Sequence, residues 1–410
     1  MKEKNLICTY SSDFVLGGIE SYYMRMFRWA NANGYRTALV IPFGKSVHDA
    51  WRAELKCIHT SVGYDNNRYF APRIMFEDGN EIEFTSEFEG VVIAADIFSY
   101  IRMLRLKSRY NMQNLKLILY IFLPTFCRAS KKRLVNLPIM SLMKRLLRSG
   151  MVFMDEDTLY YCNDFYNCNN TNEKIVRLGL EIPDINIQKD FMRQDTRKRK
   201  FTILSICRMD FPFKSYILGL VDAYVELKKC NEQLELVIIG DGEDIGILES
   251  KIKKMPKIFQ EDIQLLGSVS YDTLKKYFNE SDVYVGMGTT LLDAAIQGIP
   301  GIISKAFCEE ALTTGFFCEA YNDLSGNEKV NGAKLMKIEE VLRKTIDCSF
   351  DEYKQLCSRS YDMVKEYYNI NKSMRQLLEV KDDVKLNRLQ EMTIFYYSKI
   401  LKKVQELGIG

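Results

Sequence analysis

Two cations stand close together in the stretch FTILSICRMDFPFKS: Arg208 and Lys214, just after the apolar run Phe201 to Cys207. Both supply positive charge, arginine as a planar fork of donors and lysine as a mobile point charge. On residue type alone the pair could equally be surface cations beside an aromatic loop. Further on, Gly286, Gly288, Thr289 and Thr290 precede a helical pattern that starts near Leu291. Backbone amides, hydroxyls and the positive end of a helix would together make a diphosphate cradle. Asp293 falls in the first turn of that helix. A third site of this kind lies near the start, where Gly17-Gly18 separates the strand candidate Leu6 to Thr9 from a helical pattern. Glycine allows close backbone approach and positive φ, and the helix start adds free amides. The alternative is a tight turn that binds nothing.

Other chemistries find less support. With only His48 and His59, a histidine-rich metal site is excluded, and no essential metal is expected. Eleven cysteines are scattered without a CxxC pair, the closest being Cys162 and Cys168, which points to a reducing compartment and not a disulfide framework. Neither Gly17-Gly18 nor the IIGDG of residues 238–242 is a GxGxxG dinucleotide fingerprint, so no NAD or other cofactor is expected. A net charge of +3 does not single out a nucleic-acid partner. The opening MKEKNLICTYSSDF has no adequate apolar core for a secretory signal, and the apolar run Leu117 to Cys127 is too short for a bilayer span. The expected location is the cytoplasm.

The elements that must position these residues follow a βαβ rhythm. Short apolar runs at Leu234 to Ile239, Ile263 to Leu266 and Ser281 to Gly286 alternate with stretches long enough for helices. That pattern implies a parallel sheet covered by helices, with ligands at the strand C-termini. The first half repeats it: strands at Leu6 to Thr9, Thr37 to Ile41, Val91 to Ala94, Leu115 to Phe122, Met151 to Met154 and Ile175 to Leu178, with a hairpin around Asp78-Gly79. Asp96 could face a ligand or cap the helix that follows it. With 410 residues, two domains are expected. The boundaries are drawn at 1–195, 196–375 and a helical segment 376–410, with the polar stretch 181–200 as linker. Leu386, Leu389, Thr393, Tyr396, Ile400 and Val404 fall on helical spacing, in a terminal helix that either packs back on the first domain or serves oligomerisation.

Arg208, Lys214, IIGDG, LLGSVS before Tyr271 and SDVYV…LLDAAIQGIPGII, together with Gly17-Gly18-Ile19-Glu20, resemble retaining glycosyltransferases of the family 4 group. The resemblance implies the GT-B fold, two Rossmann-like α/β/α domains facing across a cleft. It implies that Arg208 and Lys214 bind the diphosphate of a nucleotide sugar and stabilise the departing phosphate. Gly17 and Gly18 then form the first glycine loop, Gly267 adjoins the base, Gly288, Thr289 and Thr290 meet the phosphates, and Asp293 meets the ribose. The related enzymes usually have a glutamate eight positions before this last acid. Here that position is Val285, in a loop that looks shortened.

The implied activity is transfer of a sugar, with retention, to a hydroxyl of a glycan or lipid-linked acceptor in capsular or cell-envelope polysaccharide synthesis. Two alternatives remain open at this point: an inactive GT-B scaffold or binding subunit, and a nucleotide-sugar epimerase of the same fold. The basic run Arg128 to Arg148, with leucines interleaved and no acidic residue, could rest on an anionic membrane surface or be a solvated helix face.

Overall fold

The computed structural model describes residues 4–10, 12–65, 73–123, 126, 128, 130, 133–171, 174–183, 200–382, 384 and 386–406. The expected linker lies almost wholly in 184–199, outside the described residues. The chain divides into two compact units, Met1–Glu181 with Ile370–Gly410, and Ile182–Asn369. No described helix is long and apolar enough to cross a membrane.

In chain order the first unit has β1 (Lys4–Thr9), α1 (Gly18–Ala32), β2 (Tyr35–Pro42), α2 (Asp49–Cys57), β3 (Ser61–Asp65), the hairpin β4 (Arg73–Met75) and β5 (Glu81–Glu83), then β6 (Gly90–Ala94), α3 (Ile97–Arg109), β7 (Leu115–Ile121), α4 (Leu137–Leu146), β8 (Met151–Phe153) and α5 (Glu156–Tyr166). The parallel sheet runs β3-β2-β1-β6-β7-β8. Its strands are nearly continuous apolar runs, as expected of a sheet covered on both faces. The order reverses between β1 and β6, which opens a crevice at their C-terminal ends. The loop with Gly17 follows β1 there, and Asp96 follows β6.

Several local readings are resolved. Asp96 is a cap: its carboxylate accepts from Phe98 N at 2.9 Å, Ser99 N at 3.0 Å and Ser99 Oγ at 2.7 Å. The hairpin forms with Asp78 Oδ1 accepting from Asn80 N at 3.0 Å. Ile175 to Leu178 is not a strand but a single bridge from Ile175 to Phe153. Just beyond it, Gly179 lies so close to Ile370 that no Cβ fits between them.

The second unit has β9 (Phe201–Ile206), α6 (Tyr216–Lys228), β10 (Leu234–Ile239), α7 (Ile245–Lys253), α8 (Lys257–Gln260), β11 (Ile263–Leu265), α9 (Tyr271–Glu280), β12 (Val283–Gly286), α10 (Thr289–Ile296), β13 (Gly301–Ser304), β14 (Leu312–Phe316), α11 (Glu328–Asn331), β15 (Met336–Lys337), α12 (Ile338–Asp347) and α13 (Phe350–Tyr367). Its sheet order is β11-β10-β9-β12-β13-β14-β15, parallel except for the pairings of β14. The reversal here falls between β9 and β12.

After the second unit the chain returns to the first with α14 (Ile370–Glu379) and α15 (Arg388–Glu406). Buried polar contacts hold this return. Glu391 pairs with Arg105 at 2.5 Å, and Asp382 accepts from Lys107 Nζ at 2.7 Å and from the amide of Leu117 at 2.8 Å. Ile394, Phe395 and Leu401 enter the core. Of the stripe read from sequence, Leu386 packs against the core, whereas Leu389, Tyr396 and Ile400 are exposed. Period alone found an apolar face, but the buried Glu391 ion pair turns the other face inward. In the basic run, Lys131 and Lys132 lie outside the described residues, and Arg128 sits over the rings of Tyr161 and Phe165. Ile139, Leu142, Met143, Leu146 and Leu147 are core residues, leaving Leu137 as the exposed apolar one among the described residues of α4.

Two outcomes follow for the first unit. Asp382→Ala strands a lysine and a strand amide, so its urea midpoint should fall by the equivalent of about 3–5 kcal/mol; a change below about 1 kcal/mol would mean the return is held elsewhere. Asp155 is buried at the start of α5, and burial pushes its carboxyl up to about 7. The amide of Thr158, donating at 2.8 Å, only partly offsets this. A folded value above the unfolded one means the folded state binds more protons, so stability falls as pH rises from about 4 to about 7. Asp155→Asn keeps a capping oxygen and removes the titration. Denaturant melts at pH 4.5, 6 and 8 should show that slope flattened, with the variant ahead of wild type at pH 8 by on the order of 1–4 kcal/mol.

Candidate functional site

The exit of β9 is shaped by the turn after β10. Gly240 and Gly242 take φ of 136° and 158°. A Cβ on Gly240 would collide with the carbonyl oxygen of Cys207, and one on Gly242 with that of Met209. The two chain segments are also laced together: Met209 N donates to Asp241 O at 2.9 Å, Asp244 N to Met209 O at 3.2 Å, and Phe211 N to Asp244 Oδ2 at 2.8 Å. Arg208 therefore projects from a fixed backbone. Its side chain is 62% exposed, and one edge of the guanidinium engages Asp210, with Nε donating to Oδ2 at 2.7 Å. Lys214 is half-buried. Burial holds its ammonium below the usual lysine range, and nearby Arg208 adds to this while Cys207 and Asp210 act the other way. An anion arriving beside Lys214 would favour its charged form.

Across the reversal, β12 ends at Gly286 and α10 begins at Thr289. Gly288 has φ 74° and ψ −150°, a conformation essentially reserved for glycine. No atom lies within 4 Å of where its Cβ would be, and no side chain caps the helix. The amide of Leu291 donates to Gly288 O at 3.2 Å, and those of Thr289 and Thr290 at the start of the helix have no side-chain cap. Asp293 is half-buried one turn in. The Thr290 hydroxyl is committed inward: it donates to Met287 O at 3.2 Å and accepts from the Tyr284 hydroxyl. Tyr284 also reaches the carbonyl of Ile206, at 3.1 Å. Its ring occupies the space that a side chain on Gly286 would fill. One buried hydroxyl therefore ties the end of β9 to the first turn of α10. Tyr284 was not singled out from sequence; the available signal was a glycine two residues later on the same face of the strand.

Arg208, Lys214, Gly288, Thr289, Thr290 and Asp293 are thus gathered at one end of the second sheet. Gly267 lies farther along it, after β11, with φ 64° and its carbonyl accepting from Gly240 N at 2.8 Å. Val285 is inside β12, opposite Ile302 and fully buried. Gly17 and Gly18 belong to the first unit. Gly17 is extended, at φ −169°, so its backbone needs no glycine. The requirement is steric, because a Cβ would collide with the carboxylate of Glu20, itself buried and bonded to Tyr10 Oη at 2.6 Å. Among the described residues, no group of three or more His, Cys, Asp or Glu could hold a metal ion.

This geometry generates a test. Tyr284→Phe should lower stability by about 1 kcal/mol and weaken inorganic pyrophosphate binding about three- to tenfold. Calorimetric titration beside a thermal melt would check both; unchanged pyrophosphate affinity would show that the hydroxyl link does not set the site.

Residues 186–344 match the family model described as glycosyl transferases group 1. No curated protein matches the chain. Among solved structures, the chain is similar to a glycosyltransferase from Rickettsia africae, with 13% identity, a TM-score of 0.61 and coverage of 98% of this chain and 100% of that one. It is also similar to HepE from Anabaena in complex with UDP, with 12% identity, a TM-score of 0.60 and coverage of 92% and 98%. The lipopolysaccharide outer core galactosyltransferase WaaB is a third, with 14% identity, a TM-score of 0.54 and coverage of 91% and 99%. With a glycosyl transferases group 1 domain in its second unit and the GT-B fold, the chain is a glycosyltransferase enzyme.

Proposed function

We propose that the chain is a retaining, family 4-like glycosyltransferase that moves a sugar from a nucleotide-diphosphate sugar to a hydroxyl of a glycan or lipid-linked acceptor. The observation that carries this reading is the gathering of Arg208, Lys214 and the uncapped start of α10 at the strand reversal of the second sheet. HepE in complex with UDP and glucose supports a uridine diphosphate sugar as the first donor to try. Arg208 would grip the diphosphate by exchanging Asp210 for phosphate oxygens, and the anion would favour the charged form of Lys214. The amides of Thr289 and Thr290 face the same anion. Asp293 would take the ribose hydroxyls, and Gly267 would leave room for the base.

The reaction on this reading needs no protein nucleophile and no protein-bound metal. Breaking the bond from the sugar to the distal phosphate leaves negative charge on the diphosphate. Fixed cations and helix amides stabilise that charge more strongly as it develops. Recognition of the acceptor is assigned to the first unit, with Gly17, Gly18 and the start of α1. Capsular or cell-envelope polysaccharide synthesis fits an acceptor presented at the cytoplasmic leaflet. Contact with an anionic surface would rest on the exposed Lys144 and Arg148, because the apolar side of α4 is spent in the core.

Titration with UDP and GDP, followed by product analysis with mixed nucleotide sugars and cell-envelope extracts, tests the proposal. Arg208→Ala should weaken diphosphate binding by about 1.5–3 kcal/mol with the fold intact, and Arg208→Lys should not restore it. Lys214→Ala should damage the same step non-additively. Wild-type affinity in a folded Arg208→Ala protein would remove Arg208 from the site. Nucleotide binding without transfer to any acceptor would favour a binding subunit, which is the reading that Val285 motivates.

A further inference from the structure

Residues 305–311, between β13 and β14, form a loop pinned along its length. Lys305 donates its amide to Leu312 O at 3.0 Å and its ammonium to Glu328 at 2.7 Å. Ala306 N donates to Ser325 O at 2.8 Å, and Phe307 N to Phe213 O at 3.0 Å. The backbone at Glu309 and Ala311 then lies against α6 at Gly219, where no Cβ would fit. In this fixed loop Phe307 takes φ of 55°. That region is costly for a bulky residue, and glycine or asparagine would be the ordinary choice. Burial does not explain the phenylalanine, because it is 69% exposed. Its ring meets that of Phe213 with centroids 5.0 Å apart and planes tilted by 52°, so the two rings open a notch. Phe213 is the residue just before Lys214.

We propose that Phe307 and Phe213 form a stacking platform for the sugar ring of the donor, and that the sugar is a neutral hexopyranose. The inference rests on the nucleotide-sugar reading. A hexose presents a face of C–H groups, which an aromatic ring accepts through its negative face while both shed water. The sugar is bonded directly to the distal phosphate, so its platform must adjoin the cation that holds that phosphate. Phe213 is joined to Lys214 by one peptide bond, and the loop carrying Phe307 is hydrogen-bonded to Phe213. Face stacking favours an uncharged ring because neither phenylalanine offers a charged partner.

Phe307→Gly removes the ring and relieves the backbone, so the variant should melt no lower than wild type. Phe307→Trp keeps a ring. Both are titrated with UDP, GDP, UDP-glucose, UDP-galactose, UDP-N-acetylglucosamine and GDP-mannose. For the sugar nucleotide that wild type binds best, Phe307→Gly should lose about three- to tenfold in affinity, the size expected for one aromatic contact. Affinity for the matching bare diphosphate should change less than about twofold, and Phe307→Trp should restore the sugar nucleotide. An unchanged sugar-nucleotide affinity, or an equal loss for the bare diphosphate, overturns the platform alone. Failure of wild type to bind any of the six overturns the donor reading and the platform with it.

Discussion

A carbonyl oxygen occupies the place where most residues carry a side chain. The close approach of Cys207 and Met209 to Gly240 and Gly242 sets the path of the chain as it leaves β9. The rest of the second unit's site depends on that path. Because the segment is bonded to the neighbouring turn, Arg208 would have only its own side chain left to order on meeting a ligand. Less entropy is then lost per contact formed. The glycines of IIGDG thus act at one remove: they touch backbone, and the backbone aims the cation.

Opposite this fixed edge lies the short connection between β12 and α10. Here the strand runs straight into glycine, and a buried tyrosine hydroxyl bridges Ile206 and Thr290. The bridge stiffens the junction while leaving the helix start uncapped. The site is consequently positive on both sides, with side-chain cations on one and backbone amides on the other. Asp210 supplies an internal counterion on the Arg208 side. Such a counterion limits the cost of holding like charges near one another before ligand arrives.

Much of this was legible in the sequence because it rests on strong local signals. Apolar runs located the sheets, and Arg208, Lys214 and the glycine-threonine loop stood at strand ends where parallel sheets bind anions. The reading failed where a role depends on what faces a residue. Tyr284 looked like one more strand residue, and its importance comes from the space beside Gly286. Thr290 looked like a ligand hydroxyl, but that hydroxyl turns inward. The last helix carries apolar residues on two faces, and periodicity cannot choose between them; the Glu391–Arg105 pair does. Gly17 was read for positive φ and for close approach of a ligand; its backbone is extended, and a Cβ there would meet the carboxylate of Glu20.

The first unit is built from two separated pieces of chain, residues 1–181 and 370–410, with the whole second unit between them. A ribosome makes these pieces at different times. The second unit is complete as a stretch of chain before α14 and α15 exist. Until they emerge, the core at α3 and α4 lacks Ile394, Phe395 and Leu401, and the Arg105 and Lys107 side chains lack their carboxylates. Domains usually fold from the N-terminal end as synthesis proceeds. Here that order is inverted: the later-coded unit can mature first, and the earlier one waits, with apolar surface open, for the final helices. The nascent chain is therefore most exposed to aggregation late in synthesis, and a stop codon after 369 would leave intact the unit that carries the cations.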